Sequence, residues 1–246
     1  MTAAVTDTLG AGRRPLHILI SAGPTREPID AVRFISNYST GYMGARLAAE
    51  ALSRGHRVTV VSGPAAEPLP AGARVIPVES AREMDQALRR QAGGADAIIM
   101  AAAVSDFRPA RAAAGKLHRR SRLTLRLEAT PDIVAGLPRR RGQLMAGFAI
   151  ETDRVLPRAE EKLRGKRLDL LVAQRANGTG SPFGRQQVDA WLLTRRDRPG
   201  DRIWRREALI EPLGRCSKGR VARALLDKIE ALWYGQRKPT GSPRKA

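Results

Sequence analysis

The segment RFISNYSTGYMG, residues 33–44, lies between an apolar run upstream and an amphipathic pattern downstream. Apolar residues at 43–52 recur at helical spacing, so a helix is predicted to follow, with Ser39 or Thr40 as its cap. Gly41 and Gly44 would let another group approach the backbone closely. The start of such a helix presents unpaired N–H groups and a positive dipole end, which suit a phosphate or a carboxylate. A plain strand-to-helix connection without a ligand fits these local features equally well.

Short apolar runs alternate with helical patterns on both sides of this segment. The runs predict strands at 16–21, 58–62, 75–78, 97–102, 144–149, 168–173 and 187–194, with 75–78 at an edge and a half-exposed strand at 123–127. Helices are predicted at 81–91, after Glu151 and at 221–234, and Thr130 is expected to cap another that begins at Pro131. This alternation is typical of an α/β fold with a doubly wound, mostly parallel sheet.

The chain is expected to form a single domain, because no linker interrupts its middle. Residues 1–14 mix small and basic residues without a period and are interpreted as a flexible leader. Residues 15–234 form the predicted domain, and residues 235–246 are interpreted as a basic disordered tail.

The 246 residues carry a formal net charge of +20, which would suit a nucleic-acid-binding protein. The arginines are scattered through predicted helices, however, and aromatic residues make up only 4% of the chain, so platforms for base stacking are scarce. A solvated arginine-rich surface is therefore favoured, and no specific nucleic-acid partner is expected. The nucleic-acid alternative predicts steep salt dependence of retention on DNA.

Cysteine usage and hydropathy suggest the compartment. Cys216 is the single cysteine, which excludes an internal disulfide, and no paired Cys/His spacing predicts a zinc site. The sequence shows neither a signal-peptide pattern nor an apolar stretch of about 18 residues. A cytoplasmic protein without a membrane partner is expected.

A loop that follows a predicted strand is a candidate for ligand binding. The loop at 103–109 follows the strand at 97–102, and open parallel sheets bind ligands at the carboxyl ends of their strands, which makes Asp106 a candidate. The small and basic residues at 110–122 have the composition of a mobile flap.

Six segments together resemble one family, the phosphopantothenate-cysteine ligases, or phosphopantothenoylcysteine synthetases, of coenzyme A biosynthesis. They are SAGPTRE (21–27), RFISN (33–37), STGYMG (39–44), AAAVSDFRP (101–109), PDIV (131–134) and GFAIET (147–152). Each segment alone would be a weak signal, but their common order from about Ile18 to Leu193 is specific.

The resemblance implies a Rossmann-like sheet, a homodimer and a two-step reaction. The carboxylate of 4'-phosphopantothenate would attack a nucleoside triphosphate, with CTP favoured over ATP, and L-cysteine would then take the acyl group from the acyl-nucleotide. Mg²⁺ or another divalent cation is expected with the nucleotide. Many bacterial relatives are fused to a flavin-dependent decarboxylase, so a separate decarboxylase partner is expected, and no flavin is expected in this chain.

The resemblance also assigns roles to residues. Asn37 would hold the reacting carboxylate and later the acyl phosphate, and Lys116 on the flap would close over the triphosphate; these two are the catalytic candidates. Arg33 would meet the phosphate of phosphopantothenate, either in its own protomer or from across the dimer, with Ser39 and Ala103 as further substrate-binding residues. The nucleotide-binding candidates are Met100, Ala101, Ala102, Asp106, Lys116, Pro131, Asp132, Ile133, Val134, Phe148, Lys162 and Lys166.

The sequence departs from the family pattern at three places. Gln174 stands where the family usually has asparagine, which bears on base selectivity, and Tyr42 replaces a residue that is commonly lysine. The flap has few lysines beyond Lys116. The alternative function is a Rossmann-like nucleotide-binding module without the ligase step. The strand at 58–62 lacks a terminal acidic residue to hold a ribose, which argues against NAD.

Overall fold

The computed structural model describes residues 13–176, 182–196 and 207–235. The strands are, in chain order, β1 (His17–Ala22), β2 (Arg26–Pro28), β3 (Phe34–Ser36), β4 (Arg57–Ser62), β5 (Arg74–Pro77), β6 (Ala97–Met100), β7 (Phe107–Pro109), β8 (Leu127–Ala129), β9 (Leu144–Glu151), β10 (Leu170–Arg175), β11 (Val188–Thr194) and β12 (Leu209–Cys216). The helices are α1 (Tyr42–Ser53), α2 (Ala81–Ala92), α3 (Ile133–Gly136), α4 (Val155–Gly165) and α5 (Lys218–Gly235).

Within the described residues, one sheet of eight strands has the order β12-β11-β10-β9-β6-β1-β4-β5. Neighbouring strands from β10 to β5 run parallel, whereas β11 and β12 are antiparallel and close one edge. The two hairpins β2–β3 and β7–β8 lie outside this sheet. The predicted Rossmann-like α/β fold with a mostly parallel sheet is confirmed, and so is the edge position of β5.

Strand β1 lies inside the sheet, and the packing on its two faces explains why its sequence is continuously apolar. Ile18 and Ile20 pack into a core that includes Leu47 of α1 and Leu225 of α5, whereas Leu19 packs into a second core with α2 and α4. Because helices cover both faces of the sheet, consecutive side chains are removed from water on opposite sides. Burial of each large apolar side chain of this kind stabilises the folded state by roughly 1.5–3 kcal/mol.

Two predicted segments fall partly outside the described residues. These are the leader up to residue 12 and the tail from residue 236. Arg14, at the end of the predicted leader, contacts the domain: its guanidinium donates hydrogen bonds of 2.9 and 3.0 Å to the carboxylate of Asp96. No helix in the described ranges is long and apolar enough to cross a membrane.

The predicted cap of α1 is wrong. The N-cap residue is Gly41, in the left-handed region at a φ of 82°, and no side chain caps the helix. The hydroxyls of Ser39 and Thr40 instead accept hydrogen bonds from the N–H groups of Gly41 and Tyr42, at 3.3 and 3.4 Å. The hydroxyls therefore stabilise the turn that leads into the helix.

The predicted cap of the short helix α3 is also wrong. Asp132 is its N-cap, and the Asp132 carboxylate accepts a hydrogen bond of 3.1 Å from the Ala135 N–H. The Thr130 hydroxyl instead donates a bond of 2.6 Å to the carbonyl of Ser105. A long-range partner thus outcompetes the local cap.

Two strand assignments need correction. The predicted strand at 123–127 contributes only Leu127 to β8, which pairs with β7 and is exposed along its length. The sequence does not predict strand β12, because only Leu213 and Cys216 of its residues are buried and it lacks an apolar run. It forms by pairing with β11 at the edge of the sheet.

Helix α1 approaches strand β1 closely at Gly44. A Cβ atom at Gly44 would lie 2.4 Å from the Cβ of Ala22 and 3.1 Å from its Cα. Such distances leave no room for any side chain between the helix and the strand. The close approach predicted at Gly44 is therefore a contact between helix α1 and strand β1 of the same chain.

We expect Gly44→Ala to lower the free energy of unfolding by about 1–3 kcal/mol, because the added methyl group overpacks the contact with Ala22. The measurement is urea unfolding followed by circular dichroism. Gly165→Ala in α4 is the control: no atom lies within 4 Å of the added Cβ, so stability should rise by up to about 1 kcal/mol. Equal effects of the two substitutions would contradict the close contact.

Candidate functional site

A cavity of about 290 Å³ opens at the carboxyl ends of β6 and β9. It is bounded by the loop after β6, by α3 with the residues before it, and by α4. The predicted residues that line it are Met100, Ala102, Asp106, Pro131, Asp132, Ile133, Val134, Phe148, Lys162 and Lys166. The structure thus brings together residues that are far apart in the sequence.

The cavity also has lining residues that the sequence analysis missed. They are Val104, Thr130, Gly147 and Leu168. The first three lie within or beside segments that carry the family resemblance, so the sequence could have indicated them as site residues. Leu168 gave none, because it resembles any core residue before a strand. Of the predicted nucleotide-binding residues, Ala101 and Lys116 do not line this cavity.

Cationic and acidic side chains form one wall of the cavity. Lys166 pairs with the carboxylate of Asp132, across 34 residues of sequence. Burial raises the pKa of Asp132, but the hydrogen bonds from Lys166 and the Ala135 N–H outweigh burial, so its pKa is lowered. The carboxylate is therefore ionised at neutral pH.

Lys162 is half-buried. Burial lowers the pKa of its ammonium group, and the positive charge of Lys166 lowers it further, whereas the charges of Glu151, Asp106 and Asp132 partly restore it. A half-buried ammonium group of this kind is incompletely solvated, so an incoming anion would stabilise it.

Asn37 lies in a second cavity, of about 410 Å³, which Ser39 also lines. Its side-chain amide donates a hydrogen bond of 2.9 Å to the carbonyl of Ala103. Ala103 in turn stands between Ala102 and Val104, which line the first cavity. One hydrogen bond thus joins a residue that lines the second cavity to the segment that lines the first.

Thr25 is a fully buried residue that joins the segments around both cavities. Its N–H donates a bond of 3.3 Å to the Ala103 carbonyl, and its hydroxyl accepts a bond of 3.0 Å from the Ser105 N–H. The Ser36 hydroxyl donates a bond of 2.8 Å to the Thr25 carbonyl. The β2–β3 hairpin, which precedes Asn37, is thereby held against the loop after β6.

Arg33 is placed apart from both cavities. Its Nε donates a hydrogen bond of 3.0 Å to Asp30, and another guanidinium nitrogen donates one of 2.9 Å to the Leu117 carbonyl. Asp30 also accepts a bond of 3.0 Å from the Leu117 N–H. The Arg33 hydrogen bond, with support from Leu117, holds the pKa of Asp30 well below its usual range. The neighbouring Lys116 is exposed on the segment interpreted as a flap.

The acidic residues at the first cavity suit a metal ion that is bound partly by the phosphate groups of a ligand. Among the described residues, no group of three or more His, Cys, Asp and Glu side chains could hold a metal ion. The carboxylates of Asp106 and Asp132 line the cavity. Mg²⁺ usually binds through one or two carboxylates together with substrate phosphates and water, so this pair is compatible with it.

Comparison with known proteins identifies the family. The profile of the DNA/pantothenate metabolism flavoprotein C-terminal domain (DFP) matches residues 14–232. The chain belongs to this family. The match covers both cavities and all the strands of the large sheet.

Individual relatives agree with this assignment. The Coenzyme A biosynthesis bifunctional protein CoaBC of Bacillus subtilis (strain 168) is 42% identical over 171 residues, which cover 68% of this chain and 42% of that protein. A Cysteine/Cysteine sulfinic acid decarboxylase from an unknown prokaryotic organism is 38% identical over 225 residues, covering 90% of this chain and 59% of that protein. The chain therefore spans about half the length of these curated relatives.

A solved structure supports the fold in detail. The crystal structure of the C-terminal domain of a Coenzyme A biosynthesis bifunctional protein CoaBC has a TM-score of 0.72 and 32% sequence identity to this chain. The match covers 94% of this chain and 100% of that domain. The family domain is thus present over its full length.

We expect Lys162→Met to raise the free energy of unfolding by up to about 1 kcal/mol at pH 7, because it removes a half-buried charge, whose pKa burial lowers, from a site that lines a cavity. The pKa of Lys162 in the folded protein lies below its ordinary value of 10.5. The unfolded chain therefore binds more protons between these two values, and the wild type gains stability as the pH rises through that window. The advantage of the variant should consequently shrink at pH 10.

Thermal unfolding of both proteins at pH 7 and pH 10 measures this effect. Lys166→Met is the control, since it removes the partner of Asp132 at a half-exposed position and should change stability by less than about 1 kcal/mol. A loss of stability at pH 7 on replacing Lys162 would show that its charge is already well compensated in the free protein.

Proposed function

We propose that the chain is a phosphopantothenate-cysteine ligase, which joins 4'-phosphopantothenate to L-cysteine through an acyl-nucleotide and releases pyrophosphate and a nucleoside monophosphate. The observation that carries the proposal is the hydrogen bond from the Asn37 amide to Ala103, which joins the second cavity to the loop beside the first, where two lysines are suited to a triphosphate. Family membership and similarity to a coenzyme A biosynthesis protein support it.

The first cavity would hold the nucleotide. Phe148 is half-buried, and Ile133 is almost fully buried, so these side chains would pack against the faces of the base. Lys162 and Lys166 would face the triphosphate, with Lys166 exchanging the Asp132 carboxylate for phosphate oxygens. A divalent cation such as Mg²⁺ would offset phosphate charge beside Asp106 and Asp132. CTP is favoured over ATP on the family resemblance.

The second cavity would hold the reacting carboxylate of phosphopantothenate. The Asn37 amide would exchange the Ala103 carbonyl for a carboxylate oxygen, which would then be directed towards a nucleotide in the first cavity. In the first step this oxygen attacks the α-phosphorus and pyrophosphate leaves. Catalysis is then mainly positioning and charge stabilisation, as in other phosphoryl-type transfers.

The flap would complete the substrate site. Arg33 would bind the phosphate of phosphopantothenate, and Lys116 would reach the triphosphate once the flap closes. In the free protein Arg33 is paired with Asp30 and Leu117, so the phosphate would compete with these partners. The Leu117 contact links the position of Arg33 to that of the flap.

A homodimer and a pathway partner complete the proposal. Large apolar side chains are exposed on and beside the β7–β8 hairpin, with Phe107 at 55%, Leu123 at 54% and Leu127 at 44% exposure, and a second copy of the chain would cover them. A flavin-dependent decarboxylase would consume the ligated product. The chain would act in the cytoplasm.

We expect pyrophosphate release from CTP or ATP to require both phosphopantothenate and a divalent cation, because the phosphopantothenate carboxylate is the nucleophile. A coupled pyrophosphate assay with each component omitted in turn makes the measurement, and parallel kinetics with the two nucleotides give the preference. Hydrolysis at an equal rate without phosphopantothenate would defeat the proposal. Nucleotide binding without any turnover would favour the alternative of a non-catalytic binding module.

We expect Asn37→Asp to bind nucleotide nearly normally but to form ligated product about a hundredfold more slowly. The new carboxylate would repel the substrate carboxylate and the acyl phosphate, and an amide donor would be lost. Isothermal titration with nucleotide and product formation at saturating cysteine make the two measurements. Gln86→Glu, the same amide-to-acid change at an exposed position of α2, is the control. If the activity of the Asn37→Asp variant stayed within a few-fold of the wild type, Asn37 would be only a turn residue and its proposed catalytic role would be wrong.

A further inference from the structure

The cavity around Asn37 contains a cation that has no role in the reaction as described above. Arg26, in β2, lines this cavity and is paired in the β2–β3 hairpin with Ser36, the residue immediately before Asn37. The side chain of Arg26 is 38% exposed, so it borders the open space. The hairpin thus fixes a guanidinium group and the Asn37 amide in one cavity.

Two contacts orient the Arg26 side chain. Its guanidinium carbon lies 4.5 Å from the centre of the Phe34 ring, a distance typical of a cation–π contact. One guanidinium nitrogen lies 3.4 Å from a carboxylate oxygen of Glu79, whose side chain is 56% exposed. The ring contact orients the guanidinium group. The ion pair with Glu79 is long and exposed, so it contributes little to stability. An anionic ligand could therefore replace Glu79 at low cost.

The second step of the proposed reaction supplies an anion of the right kind. The amino nitrogen of the amino acid attacks the acyl carbon, the acyl–oxygen bond to the nucleotide breaks, and the nucleoside monophosphate leaves with that electron pair. One proton passes from the nitrogen to solvent. The amine must be uncharged to attack, so a carboxylate that held it as an ammonium group would oppose the step. The α-carboxylate is therefore the group by which a site can hold the nucleophile.

We propose that Arg26 binds the α-carboxylate of the incoming amino acid and that the cavity around Asn37 admits this reactant. The inference rests on the proposed ligase function and adds to it the site of the second substrate. Arginine presents paired N–H donors that match both oxygens of a carboxylate. With the carboxylate held at Arg26, the amino group is directed towards the acyl group at Asn37.

The test compares two nucleophiles that differ only in this carboxylate. L-Cysteine carries it, and cysteamine, the corresponding aminothiol, lacks it. We expect Arg26→Gln to lower kcat/KM for cysteine roughly tenfold to a hundredfold, the range for loss of a charge-assisted hydrogen bond. The kcat/KM for cysteamine and the KM values for nucleotide and phosphopantothenate should stay within about threefold of the wild type.

Two further variants serve as controls. Arg26→Lys retains the charge but not the paired donors, so it should lose less for cysteine than Arg26→Gln. Glu79→Gln removes the competing carboxylate, so kcat/KM for cysteine should be unchanged or higher. Turnover of cysteamine by each variant shows that its active site is folded.

The possible failures are distinguishable. Equal losses for cysteine and cysteamine, no loss for either, or a raised KM for phosphopantothenate or nucleotide would overturn the assignment of Arg26 and leave the ligase intact. If the wild-type protein released no pyrophosphate with phosphopantothenate present, the ligase function itself would fall, and the role of Arg26 with it.

Discussion

The packing at the carboxyl end of β1 constrains the rest of the structure. A Cβ atom at Gly63 would lie 1.8 Å from the carbonyl oxygen of Pro24, and one at Gly44 would lie 2.4 Å from the Cβ of Ala22. The turn after β1 is therefore held between α1 on one side and the loop after β4 on the other. No side chain could be accommodated at either glycine without moving backbone or a buried alanine. This contact fixes where the turn leaves the sheet.

The position of that turn determines the geometry of both cavities. Thr25, which follows the turn, bonds to Ala103 and to Ser105 in the loop after β6, and its carbonyl accepts from Ser36. Three stretches of chain are thus tied together by buried hydrogen bonds, which are strong because no water competes for them. Hydrogen bonds thus connect the hairpin that leads to Asn37 with the loop that borders the first cavity. This coupling suits a reaction in which two substrates must meet.

Charge is distributed differently at the two ends of the sheet. At the amino ends of the strands, the buried Asp96 accepts from Arg14 and Arg140, and the buried Asp169 pairs with Arg139, so part of the arginine content is structural. At the carboxyl ends, Lys162 is half-buried and Lys166 pairs only with a partly exposed aspartate. Both lysines line the first cavity, where an anion could reach them. The high net charge therefore need not indicate a nucleic-acid surface.

The sequence by itself determined the α/β fold, because continuous apolar strands alternating with amphipathic helices are compatible with few other arrangements. It also predicted most of the residues that line the first cavity, because these residues lie in the short segments that resemble the family. The tertiary structure alone decided the caps at Gly41 and Asp132, the edge strand β12, and the proximity of Arg26 to Asn37. It also placed Lys116 outside the cavities that were expected to include it. Strand β12 depends on a partner distant along the chain, and local periodicity carries no information about which distant segment packs against a residue. The cap at Asp132 uses a near neighbour, Ala135, but the expected cap Thr130 bonds instead to the distant Ser105.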